Sequence, residues 1–502
     1  MDIFNRKYKN LLFGCYAALL ILASITLEGF LSFKIGGVFY LVFGILLLNL
    51  FVDVFGGIVQ IWKITELKDR ILLTLGLLLV YRFGAQVVLP GIDASQLGSL
   101  ASKTDSGLLG LLNAFTGGAF AKASIFALGI MPYISASIVV QLMGIAIPYL
   151  QKLQKEGASG QKKITQITRW LTIGICLVQA PAYLASLPAL MGGTEAFTLG
   201  QGGVFYFSSI VILVTGCVFA MWLGEKITDK GIGNGISLLI MVGIIATMPL
   251  SFAQEFDSAV NQSQGGLIKI LIEIVIWFVI ILASIMLVMA VRKIAVQYAR
   301  RTASGGYEKN IMGSRQYIPL KLNASGVMPI IFAQAIMFVP GLLGGLDVLK
   351  DSLVGQWLVA NFGGNSMFGL WYNIVFALLI IIFTYFYTAI TVPTNKMADD
   401  LKRSGGFIPG IRPGSETSEY LDKIMSQITL PGSMFLALIA VFPAIIVRLM
   451  DIQPGWALFF GGTSLLIMVG VAIDTMQQVN SYLLNKHYDG LMKTGKNRKA
   501  VQ

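Results

Sequence analysis

Ser237-Leu-Leu-Ile-Met-Val-Gly243 recurs unchanged from Ser464 to Gly470, and the chain is organised around this repeated heptapeptide. Each copy follows a glycine turn, Gly231-Ile-Gly-Asn-Gly235 or Gly461-Gly-Thr463, and each opens an apolar stretch. Internal repetition of apolar segments is typical of membrane proteins built from two halves, with the working site near the midplane where the halves meet. The repeat therefore predicts two related halves that present matched positions to each other.

A shorter echo relates residues 129–134 to residues 326–331. Apolar helices also resemble each other by chance. This alternative explains the short echo more readily than it explains the identical heptapeptide. Aligning both pairs of segments places isoleucines at matched positions. Four isoleucines, one from each of four predicted helices, are therefore candidates for one shared apolar feature. They are Ile134, Ile240, Ile331 and Ile467.

Composition assigns the class of protein. The chain has 502 residues, of which 56% are hydrophobic and 12% charged. A soluble domain carries about 25% charged residues, so the sequence indicates a polytopic membrane protein. The net charge of +12 is expected in links on one side of the membrane, because Lys and Arg are retained on the cytoplasmic side.

Cysteine and histidine provide no evidence for a metal site or for a cofactor. Cys15, Cys176 and Cys217 lie in apolar runs at no metal-ligand spacing, and they are expected to act as small packing residues. The single histidine, His487, lies near the C-terminus. Catalysis by histidine is therefore not expected.

The first 60 residues contain two apolar runs, near 11–32 and 37–60, each about long enough to span a bilayer. A signal peptide is the alternative for the first run. No convincing small-residue cleavage site follows it, and a second apolar run comes almost at once. The sequence thus predicts a hairpin with both ends in the cytoplasm.

Two polar or irregular features interrupt the next apolar runs. Arg82 lies inside a predicted span at residues 71–90, and we expect a structural partner for it, because an intramembrane arginine is costly without one. Residues 107–121 are apolar but too short and too rich in glycine to cross the membrane. They suggest a re-entrant segment resting in an outer funnel; an interfacial helix is the alternative.

The remaining spans bring the total to about twelve. They are predicted near residues 124–147, 170–188, 205–224, 234–252, 267–291, 326–344, 369–391, 432–448 and 456–478. The link 148–169 is basic whereas 253–266 holds only Glu255 and Asp257, so both termini are predicted to be cytoplasmic. Two long basic links, 292–322 and 392–430, suggest cytoplasmic docking sites, although a solvated surface is the default for any single lysine in them.

Five motifs, in this order and spacing, resemble the bacterial SecY family of protein-conducting channels. They are Gly129-Ile-Met-Pro-Tyr-Ile-Ser-Ala-Ser-Ile138, Gly231-Ile-Gly-Asn-Gly-Ile-Ser237, Pro319-Leu-Lys-Leu-Asn323, Pro409-Gly-Ile-Arg-Pro-Gly414 and Phe460-Gly-Gly-Thr-Ser-Leu-Leu466. The resemblance covers about residues 60–485. It implies an all-α fold of ten transmembrane helices in two pseudo-symmetric halves, which passes unfolded secretory chains across the membrane and releases apolar segments sideways into lipid.

The resemblance also implies roles for particular residues. A central pore ring would comprise Ile134, Ile240, Ile331 and Ile467, with Met131, Ile138 and Ile236 alongside. A plug at about residues 107–121 would include Gly107, Leu108, Leu109, Leu111, Leu112, Asn113 and Phe115. The spans that contain Ile134 and Ile331 would form a lateral gate. Cytosolic loops carrying Arg300, Arg301 and Arg412 would engage the ribosome and the SecA motor.

The resemblance further implies the small membrane subunits SecE and SecG as partners, lipid contacts, and a location in the bacterial cytoplasmic membrane. The sequence departs from the family at its N-terminus, since a typical member begins near residue 60. The predicted organisation is therefore an extension at 1–60 with two extra helices, channel halves at 61–265 and 266–485, and a basic cytosolic tail at 486–502.

Two other classes of function compete with a channel. A secondary transporter with inverted repeats would need polar groups at the midplane, and Asp474 and Glu273 are its best acidic candidates. An enzyme would need a nucleophile with a base, paired carboxylates or a metal cluster, and none stands out. The Gly231–Gly235 turn opens an apolar span and does not follow a strand, so it does not predict a nucleotide loop.

Overall fold

The structure is a computed structural model of the chain. It describes residues 64–93, 107–191, 197, 202–261, 266–298, 315–344, 352–362, 368–450 and 452–498. The predicted N-terminal hairpin at 1–60 lies outside the described residues. The described part is mainly helical, in agreement with the all-α prediction.

The helices and strands follow one another along the chain. The first half of the sequence contains α1 (Thr65–Gly84), α2 (Gly107–Phe115), α3 (Met131–Ala146), α4 (Pro148–Lys155), α5 (Ala158–Met191), α6 (Gly203–Lys230) and α7 (Gly235–Asn261). The second half contains α8 (Gly266–Met289), β1 (Val291–Tyr298), β2 (Arg315–Lys321), α9 (Met328–Gly344), α10 (Leu353–Phe362), α11 (Leu370–Thr391), α12 (Thr394–Arg403), β3 (Gly406–Phe407), α13 (Ser415–Met450), α14 (Pro454–Ala457) and α15 (Gly462–Arg498).

Ten of the helices in the described ranges have 16 or more residues, which matches the ten helices that the sequence predicts for the core. Six of them are long and apolar enough to cross a membrane, or seven spans if α3 and α4, bent by 102°, count as one. Large apolar side chains lie on the outward surfaces of these spans, such as Val178 of α5, Phe207 of α6 and Met286 of α8, each at least 70% exposed. Lipid is the environment in which such surfaces are stable.

The chain divides into two compact units, one formed by residues 1–74 with 478–502 and the other by residues 75–477. In the described part of the first unit, the Arg70 guanidinium lies 5.2 Å from the centroid of the Tyr482 ring. The second unit contains the residues nominated for the pore and for the plug. Its largest core cluster draws buried side chains from both sequence halves, including Ile240 and Ile467.

The glycine turn before α7 has the geometry that its sequence predicts. Gly233 adopts φ +81°, a conformation that favours glycine, and Asn234 then caps the helix. The Asn234 Oδ1 atom accepts hydrogen bonds from the backbone N–H groups of Ile236, at 3.2 Å, and Ser237, at 3.4 Å. A Cβ atom on Gly235 would lie 2.0 Å from the Gly224 carbonyl oxygen, so the turn also permits close helix packing.

The span predicted at residues 124–147 is shorter in the structure. Helix α3 begins only at Met131, and residues 116–130 form a series of turns. Three glycines in these turns, Gly117, Gly118 and Gly129, have positive φ, and Pro132 stands in the first turn of the helix. Glycine tolerates positive φ, and proline is favoured in the first helical turn, where a backbone N–H group would have no partner inside the helix. The chain therefore enters α3 later than its hydropathy suggests.

Several helices extend beyond their predicted spans, because a helix continues through polar residues once its hydrogen bonds are formed. Helix α7 reaches Asn261, so Glu255 lies inside it, whereas the sequence placed Glu255 in a link at 253–266. Helix α13 begins at Ser415 and contains much of the predicted link 392–430. Helix α15 continues to Arg498, so most of the predicted tail at 486–502 is helical.

A small antiparallel sheet was not predicted from the sequence. Its strand order is β2–β1–β3, with Ile294 opposite Ile318 and Gln297 opposite Phe407. Strands β1 and β2 belong to the predicted link 292–322, and β3 belongs to the link 392–430. The sheet thus joins the two links that the sequence nominated separately as docking sites.

Candidate functional site

The centre of the larger unit is an apolar cluster to which four helices contribute residues of the predicted ring. Ile240 is 7% exposed and Ile467 is 3% exposed. Ile134 and Ile331 are partly buried and pack against the same cluster. Met131 and Ile236 also pack against it, whereas Ile138, although 8% exposed, is not part of the cluster. The structure therefore brings together six of the seven nominated side chains.

Two glycines allow the start of the helix that carries Ile467 to pack closely against α13. Gly462 adopts φ +65°, and a Cβ atom on Gly461 would lie 2.5 Å from the Ile439 carbonyl oxygen of α13. This turn breaks the predicted span 456–478 into the short α14 and the long α15. Helix α15 consequently starts against α13 and directs Ile467 into the cluster.

The segment predicted as a plug packs against α7, the other helix that carries the repeat. A Cβ atom on Gly243, the last residue of the first heptapeptide, would lie 2.9 Å from the Phe115 carbonyl oxygen. Phe115 is 8% exposed and belongs to the same cluster as Ile240 and Ile467. The Asn113 Oδ1 atom accepts a hydrogen bond of 3.0 Å from the Ala121 backbone N–H, which closes the segment on itself. Gly107, Leu108, Leu109, Leu111 and Leu112 also belong to α2.

Arg82 has the structural partner that the sequence required. Its guanidinium Nη1 atom donates a hydrogen bond of 2.8 Å to the Gly117 carbonyl oxygen. Gly117 stands at φ +67°, in the turn that follows α2. A charged donor strengthens such a bond. Arg82 thus ties α1 to the plug segment.

Replacing Arg82 with leucine is expected to release this segment, because the Gly117 carbonyl loses its charged donor. A hydrogen bond to a charged group contributes about 1.5–3 kcal/mol, which corresponds to roughly tenfold to hundredfold more of the released state. A cysteine introduced at Phe115 should then react correspondingly faster with an impermeant maleimide. Arg448→Leu, which removes an exposed arginine from the last turn of α13, should leave the rate unchanged. An unchanged rate in Arg82→Leu would contradict the tether.

A hydrogen bond joins α3, from the first half of the sequence, to α11, from the second half. The Tyr387 hydroxyl of α11 donates to Gln141 Oε1 of α3 at 3.1 Å. The Gln141 amide in turn donates to the Ser137 hydroxyl at 3.3 Å. Sequence reasoning missed this contact, because isolated polar residues in apolar spans do not reveal which helix they face.

A buried ionic cluster joins the end of α7 to the start of α8. Lys269 Nζ lies 3.1 Å from Glu255 Oε1 and 3.8 Å from Glu273 Oε1. Both glutamates are only 1% exposed, and Glu255 Oε2 accepts a hydrogen bond of 2.8 Å from the Gln453 backbone N–H. Asp474, the other acidic residue considered for a transporter, is exposed on α15. The cluster was not predicted, although the spacing of Lys269 and Glu273 along one helix face was a usable signal.

Of the three arginines predicted to dock partners, only Arg412 is described; Arg300 and Arg301 lie outside the described residues. The Arg412 side chain is 88% exposed and lies 3.8 Å from Glu416. Its carbonyl oxygen accepts a hydrogen bond of 2.8 Å from Thr417 Oγ1. The loop after β3 is therefore shaped by its own hydrogen bonds and presents the arginine outward.

The profile of the SecY family matches residues 124–476, which include the four isoleucines of the predicted ring and the sheet. The chain belongs to the SecY family. The protein translocase subunit SecY of Haemophilus influenzae is 41% identical over 434 residues, which cover 85% of this chain and 94% of that protein. The predicted family is therefore confirmed, and so is the predicted function of a protein translocase subunit.

Solved structures with the same fold support the architecture. A structure described as that of a protein-conducting channel has a TM-score of 0.53 at 17% identity, covering 82% of this chain and 91% of the other. Sec61 in a canine ribosome–channel complex from the endoplasmic reticulum has a TM-score of 0.51 at 17% identity, with the same coverage. The predicted all-α polytopic fold is confirmed by these likenesses.

Proposed function

We propose that unfolded secretory chains cross the membrane through the apolar cluster, and that Ile134, Ile240, Ile331 and Ile467 form its constriction, with Met131, Ile138 and Ile236 alongside. The observation that carries this proposal is the meeting of both repeat copies, through Ile240 and Ile467, in one buried cluster. An apolar ring fits loosely around any side chain, and it blocks ions by dewetting when no chain occupies it.

The plug is proposed to be residues 107–121. Its contacts to Gly243 and Arg82 support this assignment, because they seat the segment beside the isoleucines. The lateral gate is proposed to lie between the helices of Ile134 and Ile331 with their neighbours. The Tyr387–Gln141 hydrogen bond would be one of the contacts that close it, since it joins α11 to α3.

A photo-crosslinking residue at Ile467, with a secretory chain stalled halfway through export, tests the path directly. Met476, on the same helix and 62% exposed, is the control position. Crosslinks to the nascent chain at 467 but not at 476 are the expected result. Their absence in membranes that are exporting would overturn the proposed path and would direct attention to Asp474 and Glu273.

The proposed location is the bacterial cytoplasmic membrane, with both termini in the cytoplasm. The proposed partners are SecE, SecG, the SecA motor and the ribosome; the ribosome is also named with the structurally similar Sec61 complex. We further propose that the chain is a passive channel without enzymatic activity, so that ATP hydrolysis comes from a partner. The channel halves are proposed at residues 61–265 and 266–485, with two extra helices at 1–60 and a cytosolic tail at 486–502.

Charge reversal at Arg412 is expected to impair motor-driven export while the empty channel stays closed. The side chain is 88% exposed, so its replacement by glutamate changes the docking surface and not the core. Export into membrane vesicles and ion leakage through the idle channel are the two measurements. Glu419→Arg, at an exposed position on α13, is a control for a charge change nearby. Leakage through the Arg412 variant would show that the residue has another role.

A further inference from the structure

A small, partly open cavity lies between α9, α11, α13 and the start of α15. Its volume is about 30 Å³. Polar residues on three of these helices line it: Gln334, Tyr372, Asn373, Thr463 and Ser464. It adjoins the isoleucine cluster through Leu458, but none of the four isoleucines and no residue of the plug segment lines it.

Two hydroxyl groups at this cavity make no hydrogen bond to any described residue. They are Tyr372 Oη and Thr463 Oγ1, and both residues are only 3% exposed. A buried hydroxyl without a partner costs free energy, since it has lost its bonds to solvent. Because both residues line the same cavity, a polar ligand bound there is a candidate partner for the two hydroxyl groups.

The first turn of α15 adds further donors. The N–H groups at the start of a helix have no acceptor inside it, and Gly462, Thr463 and Ser464 of this turn all line the cavity. The amide side chains of Gln334 and Asn373 add both donors and acceptors to the wall. The wall thus offers donors and acceptors from three helices.

The volume of the cavity and the absence of charged residues from its lining indicate which class of ligand fits it. A cavity of about 10–15 Å³ holds one water molecule, provided that two to four polar groups surround it. The volume of about 30 Å³ is therefore enough for one or two. No lining residue is charged, so an ion would stand there without a counter-charge, at high cost.

We propose that this cavity is a structural water site, in which one or two ordered water molecules bridge Tyr372 Oη and Thr463 Oγ1 to the first turn of α15. Ile467 lies one helical turn beyond Ser464. The water therefore links α11 to the helix that carries a residue of the apolar cluster, and it helps to hold the start of α15 in place.

X-ray hydroxyl-radical footprinting of the full-length protein in lipid nanodiscs tests the site with water itself as the probe. Radicals formed from bound water modify the side chains beside it. Tyr372 and Phe376, which line the cavity and are 3% and 6% exposed, should be modified several-fold faster than Tyr81 and Phe126, which are 1% and 5% exposed and do not line it. A scavenger in bulk solvent should protect the exposed Tyr317 much more than Tyr372. Equal rates at Tyr372 and Tyr81 would overturn the proposal.

Variants of Thr463 test whether its hydroxyl group binds the proposed water. Thr463→Val should lower modification of Phe376 to the rate of Phe126, which is 5% exposed and does not line the cavity, whereas Thr463→Ser, which keeps the hydroxyl, should retain the wild-type rate. Thr384→Val is the matched control, since Thr384 is a buried threonine of α11 that bonds to its own helix at 2.6 Å and does not line the cavity. Wild-type labelling of Phe376 in Thr463→Val would contradict the role of Thr463. The comparison within the wild-type protein decides the main question even if a variant fails to fold.

Discussion

Replacing Lys269 with methionine is expected to lower the free energy of unfolding by about 3–5 kcal/mol. Lys269 is the ammonium between Glu255, at 3.1 Å, and Glu273, at 3.8 Å. Both carboxylates are 1% exposed. Without the lysine they remain buried together as like charges, and each must lose its charge or move towards water.

The buried position of the cluster explains the size of this effect. Exposed ion pairs contribute about 0–1 kcal/mol, because water screens them. The Arg412–Glu416 pair, with side chains 88% and 55% exposed, is such a pair. Arg412→Met should therefore change stability by about 1 kcal/mol or less.

A second variant, at Glu273, distinguishes the effect of the net charge of the cluster on stability from the effect of disturbing its packing. Glu273→Gln keeps the shape of the side chain and removes one of the two negative charges. Glu273 Oε1 lies farther from Lys269 Nζ, at 3.8 Å, than Glu255 Oε1 does, at 3.1 Å. We therefore expect stability to stay the same or to rise. Reversible denaturation in detergent micelles, followed by circular dichroism, measures all three variants; a large loss in Glu273→Gln together with none in Lys269→Met would refute the charge argument.

Ile467→Asn is expected to open the idle channel to ions and to allow export of substrates with defective signal sequences. Ile467 is 3% exposed within the apolar cluster. An amide lowers the cost of wetting the constriction by about 1–3 kcal/mol on mutational scales, which corresponds to roughly fivefold to hundredfold in the open population. Ile331→Asn should act in the same direction, because Ile331 packs against the same cluster.

Ion flux into proteoliposomes and export of a signal-defective substrate measure this effect. Ala472→Asn introduces the same polar group at an exposed position of the same helix, and it should change neither. If Ile467→Asn is as selective as the wild type in both assays, the isoleucines do not form a gate. The crosslinking experiment at residue 467 would then show whether the path itself is correct.

The apolar composition and the repeated heptapeptide were sufficient to predict the class of protein and the helices that carry Ile240 and Ile467. Those predictions succeed because hydropathy and glycine turns act over a few neighbouring residues. The late start of α3 at Met131 was not predicted, because glycines with positive φ at residues 117, 118 and 129 interrupt an otherwise apolar run. Hydropathy does not distinguish an apolar turn from an apolar helix.

By itself, the sequence determined the family, the membrane-embedded helices and the residues proposed for the ring. Only the tertiary structure decided which polar groups meet: Arg82 with the Gly117 carbonyl, Lys269 with Glu255, and Tyr387 with Gln141. The sheet that joins the links of β1 and β3 was likewise decided by the tertiary structure. The physical reason is that burial in an apolar segment follows from local composition, whereas a hydrogen bond or an ion pair depends on which distant helix packs against that segment.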